Sequence, residues 1–398
     1  MIFKIFGVAC GILFAMLSMR AIAADPAPAD AAPKNATLVY VGTFTGTPAK
    51  SKGIYYFWLR AEDAGNSQNA QLKPLGVAAE TPSPSFLALD PKRRLLFCAN
   101  ETDTFNGKPG GGVSAFSIDP ATGKLKPINQ QSSMGAGPCH LVLDKTGKNL
   151  LVANYGSGNV AVLPVAANGR IGEATCVVQD EGKGPNSRRQ QGPHAHCAVL
   201  SPDNRFAFVC DLGIDKVMIF KFDAERGQLT PNDPPFALVA PGVGPRHIVF
   251  HPNGKFAYVI NELGSSVSAF AYDARAGTLK ELQTLSSLPA NYEGSSTAAE
   301  IAIAPSGEFL YASNRGHDTV AVLAVDPKKG TLSWITEQKS GGKTPRHFGL
   351  DPSGKYLAIC NQDSNTLLTC HVDAANGHLT ASDVFAEAPS PVCAVFLP

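Results

Sequence analysis

Short apolar stretches alternate with polar turns along the chain from about residue 37, and one such unit recurs seven times. In each copy, alternating apolar residues lead to an anchor residue that Pro usually follows, and a second apolar stretch ends in Asn or Asp in all copies but the last. Successive anchors are 46 to 57 residues apart. A repeat of about 50 residues is typical of solenoids and propellers. The seven anchors are Asp90, Asp144, Ser201, His251, Ala304, Asp351 and Leu397.

The apolar runs within one repeat predict four strands. In the copy that begins at His247, runs at residues 247–250, 256–260, 267–272 and 279–284 are separated by turns rich in Gly, Asn, Asp and Ser. Four short strands in a repeat of this length are typical of a propeller blade. No stretch keeps a 3.6-residue apolar period, which disfavours helical repeats. The sequence therefore predicts an all-β fold built from blades of four antiparallel strands.

Seven anchors predict seven innermost strands, but only six complete blades follow them in the chain. We expect the three missing strands upstream, at residues 38–41, 53–59 and 71–77. The C-terminal run 392–397 would then complete their blade as its inner strand, which closes the ring and removes a free sheet edge. The predicted architecture is a single seven-bladed β-propeller over residues 37–398, with the last blade closed by N- and C-terminal strands.

The first 36 residues carry a different pattern. A short basic start is followed by an apolar run at residues 5–19, and Ala21-Ile22-Ala23 forms a small-residue cleavage pattern. This order is typical of a secretory signal peptide, here residues 1–23, and residues 24–36 form a Pro/Ala-rich spacer. The apolar run is short for a membrane anchor, which needs about 20 residues. We therefore expect cleavage near Ala23, a periplasmic or secreted protein, and no membrane contact after cleavage.

Charge and cysteine content narrow the classes of function. A formal net charge of +1 with 17% charged residues gives no electrostatic footprint for nucleic acid. Apart from Cys10 there are eight cysteines, none of them in a Cys-x-x-Cys pair. Most lie in apolar runs, which favours buried thiols. The sequence has no His-Glu-x-x-His spacing, so we expect no metal ion. We also expect no cofactor and no nucleic-acid partner. Nothing in the sequence favours self-association, so we expect a monomer.

Polar residues interrupt the apolar strands at one predicted face. In each blade, the start of the inner strand and the end of the second strand lie on the same face, near the central channel. The residues expected to surround this opening include Glu101, His140, Tyr155, His194, His196, Arg246, His247, Glu262, Glu300, Arg315, Arg346 and His347.

The charged members of this ring predict an anion site. Arg246, Arg315 and Arg346 would form a cradle for an anion, because arginine binds carboxylate or phosphate through two parallel hydrogen bonds. Glu262, placed between two of them, is expected to have a lowered pKa and to stay ionised. An equal alternative is that Glu262 only orients these arginines.

Other polar features at this face have simpler interpretations. The Asn residues that end the second strands are interpreted as turn formers or backbone hydrogen-bond donors. His251 follows an inner strand and is interpreted as structural. The polar segment 181–191, which directly precedes Gly192-Pro193-His194, is interpreted as a solvated loop rather than a lid.

A set of motifs stands at the positions of this ring. They are Val39-Tyr-Val-Gly-Thr-Phe-Thr-Gly46, Gly192-Pro-His-Ala-His196, Gly244-Pro-Arg-His247, Asn261-Glu262, Ser313-Asn-Arg-Gly316 and Pro345-Arg-His-Phe348. Together they resemble the lactonase-type seven-bladed propeller family, which includes propeller 6-phosphogluconolactonases and a fungal carboxymuconate cycloisomerase. The resemblance implies that the active groups are His196, Arg246, Glu262 and Arg315.

The resemblance implies a lactonase, a hydrolase that opens a sugar-acid or similar anionic lactone. Water would be activated by His196, or by Glu262 acting through it, while Arg246 and Arg315 bind the substrate anion. Sugar phosphates are cytosolic intermediates, whereas this protein is expected to be exported. The anion bound by the arginines could therefore be a carboxylate on a different lactone. Two alternatives are a non-enzymatic propeller that binds a ligand or partner, and a muconate-type lactonising cycloisomerase. The further substrate-binding residues are expected to be His194, His247, Glu300, Arg346 and His347.

Overall fold

The computed structural model describes residues 36–46, 49–60 and 70–398. These residues form thirty β-strands, and they contain no helix that is long and apolar enough to span a membrane. The predicted signal peptide, and all but the last residue of the predicted spacer, lie outside the described residues.

Seven four-stranded antiparallel sheets make up the fold, and a two-stranded hairpin is added to one of them. The N-terminal part of the first blade consists of β1 (Ala36–Thr43), β2 (Gly53–Arg60) and β3 (Gln71–Glu80). The second blade and its hairpin consist of β4 (Pro84–Asp90), β5 (Leu95–Asn100), the hairpin strands β6 (Thr104–Phe105) and β7 (Lys108–Pro109), β8 (Gly112–Ile118) and β9 (Leu125–Ser132).

The next three blades follow the chain in order. The third consists of β10 (Pro138–Leu143), β11 (Asn149–Asn154), β12 (Asn159–Pro164) and β13 (Cys176–Gln179). The fourth consists of β14 (Ala195–Leu200), β15 (Phe206–Asp211), β16 (Lys216–Asp223) and β17 (Gln228–Leu238). The fifth consists of β18 (Pro245–Phe250), β19 (Phe256–Asn261), β20 (Ser266–Asp273) and β21 (Thr278–Ser286).

Two further blades and one last strand complete the chain. The sixth blade consists of β22 (Thr297–Ile303), β23 (Phe309–Arg315), β24 (Thr319–Val325) and β25 (Leu332–Lys339). The seventh consists of β26 (Pro345–Leu350), β27 (Tyr356–Asn361), β28 (Thr366–Val372) and β29 (Leu379–Glu387). The final strand is β30 (Pro391–Leu397).

The two ends of the described chain meet in one blade. Strand β30 pairs antiparallel with β1, so that Leu38 lies opposite Leu397 and Tyr40 lies opposite Val395. The seven inner strands β4, β10, β14, β18, β22, β26 and β30 each contact the next, and β30 contacts β4. The predicted closure of a seven-bladed ring is confirmed.

The core consists of seven apolar clusters, one at each interface between neighbouring blades. Between the fourth and fifth blades, for example, Phe208 and Ile219 pack with Val259 and Phe270. A blade therefore buries both of its faces, and every residue of a second strand such as β19 is buried. This explains why the second strands are continuous apolar runs rather than alternating ones.

Apart from Ala304 and Leu397, the recurring anchor residues cap the turn that follows their inner strand. Asp144 Oδ1 accepts hydrogen bonds from the backbone N–H groups of Lys148 and Asn149, both at 2.8 Å. His251 replaces the carboxylate in its own repeat, because its Nδ1 accepts from the backbone N–H of Asn253 at 3.0 Å. The structure therefore agrees with the structural interpretation of His251.

Candidate active site

Every inner strand carries a bulge near its start. At that point the pairing with the second strand of the blade skips one or two residues. A bulge leaves the skipped residue outside the hydrogen-bond ladder and re-aims its side chain. The skipped residues are Ser85, Cys139, His196, Arg246, Ala299, Glu300, Arg346 and Val392. All of them except Ala299 line one of two adjoining cavities at the mouth of the central channel.

The main cavity has a volume of about 250 Å³ and is strongly polar. Its described lining residues are Glu101, Cys139, Tyr155, Arg189, His196, Glu262, Thr297, Arg315 and Arg346. A narrower extension adjoins it and is lined by the more buried Arg246, His247, Glu300 and His347, among others. A larger cavity of about 500 Å³ lies near Tyr55 and Asn365, but its lining brings together only one Lys and one Glu as charged residues.

Glu262 directly follows β19 and is the centre of an ion-pair network. Its Oε2 lies 3.1 Å from Arg246 Nε and 2.9 Å from Arg315 Nη2. Its Oε1 accepts a hydrogen bond from Arg189 Nη2 at 2.6 Å. Burial alone would raise the pKa of Glu262, but the charges of Arg315, Arg246 and Arg189 outweigh it and hold that pKa at about 2. Glu262 is therefore a carboxylate at neutral pH, as the sequence predicts.

Two of these arginines are also fixed by the backbone of the sixth blade. Arg246 Nη1 donates to the Ala299 carbonyl at 2.8 Å, and Arg315 Nη2 donates to the Ala298 carbonyl at 2.9 Å. Burial lowers the pKa of Arg315 to about 10 and lowers that of Arg246 as well, whereas the charge of Glu262 opposes both shifts. The two guanidinium groups are thus held rigidly at one side of the cavity.

Behind Arg246, two histidines donate to one buried carboxylate. Glu300 Oε2 lies 3.1 Å from His247 Nδ1 and 3.3 Å from His347 Nε2. The backbone N–H of Ala394 donates to His347 Nδ1 and Arg246 Nη1 faces His247 Nε2, so the ring protons lie on the nitrogens that face Glu300. Burial lowers the pKa of His347 to about 4, lowers that of His247 well below its ordinary value, and raises that of Glu300. The neutral His247 ring therefore lies against the Arg246 guanidinium on its channel side.

Of His194 and His196 in the Gly192-Pro-His-Ala-His196 motif, the structure brings only His196 to the main cavity. Burial lowers its pKa well below the ordinary value, so its ring is neutral at pH 7 and can accept a proton. Its Nδ1 lies 3.8 Å from Cys139 Sγ. The His194 ring instead stacks on Tyr155 at 4.4 Å between ring centroids and lines neither cavity. His140 likewise lines neither cavity.

Most of the asparagines at the ends of the second strands donate to the backbone, as interpreted from the sequence. Side-chain amides donate to carbonyl groups of the connecting segments from Asn154 to Ser133, from Asn314 to Ser287 and from Asn361 to Ser340. The Asn261 amide instead donates to the hydroxyls of Ser266 and Ser268. Within residues 36–46, 49–60 and 70–398, no group of three or more His, Cys, Asp or Glu is placed to hold a metal ion.

For Arg189, the interpretation of segment 181–191 as a solvated loop is wrong. This segment carries the Arg189 guanidinium to Glu262 and to the Tyr155 hydroxyl, at 2.6 Å and 3.2 Å. The repeat pattern does not extend to this insertion, so strand geometry could not place it. Its only sequence signal is a pair of adjacent arginines just before the Gly192-Pro-His-Ala-His196 motif. Cys139 is a buried thiol as expected, but its place in the cavity lining was also missed.

Comparisons with known proteins agree with this geometry. A family model described as "Lactonase, 7-bladed beta-propeller" matches residues 38–396. The 6-phosphogluconolactonase of Bacillus subtilis is 36% identical over 296 residues, which are 74% of this chain and 80% of the relative. The 6-phosphogluconolactonase of Formosa agariphila is 34% identical over 300 residues, which are 75% of this chain and 81% of the relative.

A solved structure extends the comparison to nearly the whole fold. The periplasmic gluconolactonase of Pseudomonas aeruginosa matches with a TM-score of 0.83 and 33% identity, covering 91% of this chain and 99% of the other. The resemblance predicted from the motifs is confirmed, and with it a lactonase-type enzyme and the four-stranded blades. The chain belongs to the family of seven-bladed β-propeller lactonases.

Proposed function

We propose that this protein is an exported hydrolase that opens an anionic sugar-acid lactone. The observation that carries the proposal is the Glu262 carboxylate, held by three guanidinium groups at a strongly polar cavity. The cavity lining contains three arginines against two carboxylates, and a surplus guanidinium is suited to a phosphate or carboxylate of the substrate. Relatives named 6-phosphogluconolactonase and gluconolactonase support this class of substrate.

The arrangement suits addition of water to a lactone carbonyl. A base takes a proton from water as the water oxygen attacks the carbonyl carbon, and the guanidinium groups of Arg246 and Arg315 stabilise the charge that develops on the carbonyl oxygen. The ring C–O bond then breaks, and the proton passes from the base to the departing ring oxygen. His196 and Glu262 are the two candidate bases, and general-base catalysis of this kind contributes about 10²–10⁴ in rate.

The recessed position of these groups favours an enzyme over a partner-binding propeller. A partner-binding face would be wide and flat, whereas Glu262, His196 and Arg246 are buried around a small cavity and its narrow extension. Buried, charge-coupled groups in a cleft are typical of active sites. A lactonising reaction would use the same groups in the reverse direction, so the substrate panel below includes a muconolactone.

Export is proposed from the signal-peptide pattern of residues 1–23. The similar Pseudomonas aeruginosa protein is named as periplasmic, which supports the same compartment here. N-terminal sequencing of the protein recovered from a periplasmic extract tests this part, with Ala24 expected as the first residue. A chain that stays in the cytosol and still begins at Met1 would contradict it.

Replacement of Arg246 with Ala tests the enzyme proposal. The protein without residues 1–23 is expected to accelerate hydrolysis of at least one of 6-phosphogluconolactone, gluconolactone and a muconolactone, as measured by pH-stat against the spontaneous rate. Arg246→Ala should lose about 10²-fold or more in kcat/KM, because a guanidinium that stabilises developing charge is removed. The exposed Arg226→Ala is the matched control and should behave as wild type. No acceleration of any panel member would contradict the proposal.

A further inference from the structure

Arg189 differs from the other two arginines in the oxygen of Glu262 that it holds. Arg246 and Arg315 both approach Oε2, at 3.1 Å and 2.9 Å. Arg189 approaches Oε1 at 2.6 Å, and it is the one guanidinium within the described residues that does so. Departure of Arg189 would therefore free one carboxylate oxygen and leave the other anchored. A carboxylate anchored in this way keeps its orientation while one oxygen can accept a proton.

Arg189 is also the most exposed of the three. Its side chain is 39% exposed, compared with 3% for Arg246 and 13% for Arg315. The two buried arginines each donate to a backbone carbonyl, whereas the second contact of Arg189 is the neutral hydroxyl of Tyr155. Exposed ion pairs contribute little to stability, and buried ones are costly to break. Arg189 is thus the arginine that can change partners.

The backbone beneath Arg189 is fixed, so an exchange needs only the side chain to move. The backbone N–H groups of Arg189 and Gln190 both donate to the Asn186 carbonyl, at 3.2 Å and 2.8 Å. The buried Gln190 amide donates to the Leu212 carbonyl at 2.9 Å and to Asp215 Oδ1 at 2.7 Å. These bonds anchor the segment to the fourth blade and argue against a lid that opens as a whole.

We propose that Arg189 exchanges its ion pair with Glu262 for one with the anionic group of the substrate, and that this exchange exposes Glu262 Oε1 as the base. The inference rests on the lactonase function proposed above. Arg346 lines the same cavity over the ring of Phe44 and supplies a second guanidinium for the anion. One proton of the attacking water passes to Glu262 Oε1, and from there to the ring oxygen as the C–O bond breaks.

The exchange makes the charge of the substrate part of the catalytic step. While three guanidinium groups hold it, Glu262 is a weak base, because its pKa of about 2 is far below neutral pH. Loss of one of these three charges raises its basicity. A neutral lactone leaves Arg189 on Glu262, whereas an anionic lactone removes it. Arg189 therefore selects anionic lactones.

The experiment compares Arg189→Gln with the matched control Arg188→Gln, whose side chain is exposed and away from the cavity. Hydrolysis of 6-phosphogluconolactone and of uncharged gluconolactone is followed by pH-stat. For the anionic lactone, Arg189→Gln should lose about 30-fold in kcat/KM, as expected for one charge-assisted hydrogen bond. For gluconolactone it should change little or gain, since Oε1 is already free. A merely structural role would lower both rates equally.

Binding of inorganic phosphate gives a readout that needs no turnover. By calorimetry, Arg188→Gln should bind phosphate with the wild-type Kd. Arg189→Gln should bind phosphate at least about tenfold more weakly. Equal phosphate binding by both variants, or equal losses on both lactones, overturns the inference even if the wild type hydrolyses lactones as proposed. Arg189-dependent phosphate binding in a protein that hydrolyses no lactone supports the exchange and contradicts the proposed function.

Discussion

Replacement of Glu262 with Gln is expected to lower kcat by about 10³-fold while leaving the propeller folded. The amide keeps the size of the side chain but removes the negative charge shared by Arg189, Arg246 and Arg315. It also removes a candidate base, and a general base alone contributes about 10²–10⁴. The measurement is initial-rate kinetics on the lactone that the wild type hydrolyses best, with circular dichroism to confirm the fold.

The way in which activity is lost separates the two roles considered for Glu262. A rise in KM alone indicates that Glu262 only orients the arginines that bind the substrate anion, whereas a fall in kcat with KM nearly unchanged indicates that Glu262 acts in the chemical step, as a base or through Arg246 and Arg315. The exposed Glu308→Gln is the control and should leave both constants unchanged. Unchanged activity in a folded Glu262→Gln protein would remove this residue from the mechanism and leave His196 as the candidate base.

Deletion of residues 391–398 is expected to prevent stable folding. The deletion removes β30, which pairs with β1 along its length and contacts the inner strands β4 and β26. It takes several buried apolar side chains from two core clusters, among them Cys393 and Phe396. Burial of one large apolar side chain stabilises a fold by about 1.5–3 kcal/mol. The free energy of unfolding of a whole domain is only about 5–15 kcal/mol. It also leaves β1 as an unpaired edge, which promotes aggregation.

The measurement is the yield of soluble protein and its thermal unfolding. The truncated chain should be insoluble, or should unfold without a cooperative transition, whereas removal of the exposed Pro398 alone should have little effect. A soluble truncated protein with the thermal midpoint of the wild type would show that closure by the C-terminal strand is not needed for stability.

The fold could be predicted almost completely, because the same pattern of apolar strands and polar turns recurs seven times along the chain. Each anchor marks the end of an inner strand, and the count of anchors against complete blades requires the N- and C-terminal strands to share a blade. The hairpin of β6 and β7 was not predicted. The other differences lie at strand ends, as in β21, which covers Thr278–Ser286 where the apolar run suggests 279–284. Hydrogen bonding extends strands into polar residues that an apolar pattern does not mark.

The candidate site could be predicted only where the repeat defines its position. Arg246 stands at the start of an inner strand, and Glu262 and Arg315 each follow an Asn at the end of a second strand. These two ends lie on one face of a blade, so the geometry of one blade predicts their convergence. His194 lies one residue before β14, and its ring turns to Tyr155, a choice set by local packing. Arg189 reaches the cavity from the connection between β13 and β14, which is longer than the corresponding connections of the other blades. Contacts of this kind depend on the path of an individual loop.

The bulges at the starts of the inner strands have a consequence for how this protein can change. A bulged residue forms no part of the ladder, so a different side chain there does not shift the register of its blade. Each blade contributes such a position to the channel mouth, from Ser85 in the second blade to Arg346 in the seventh. The shape and charge of the binding site can therefore be altered one blade at a time, and new specificities can arise by single substitutions on an unchanged scaffold.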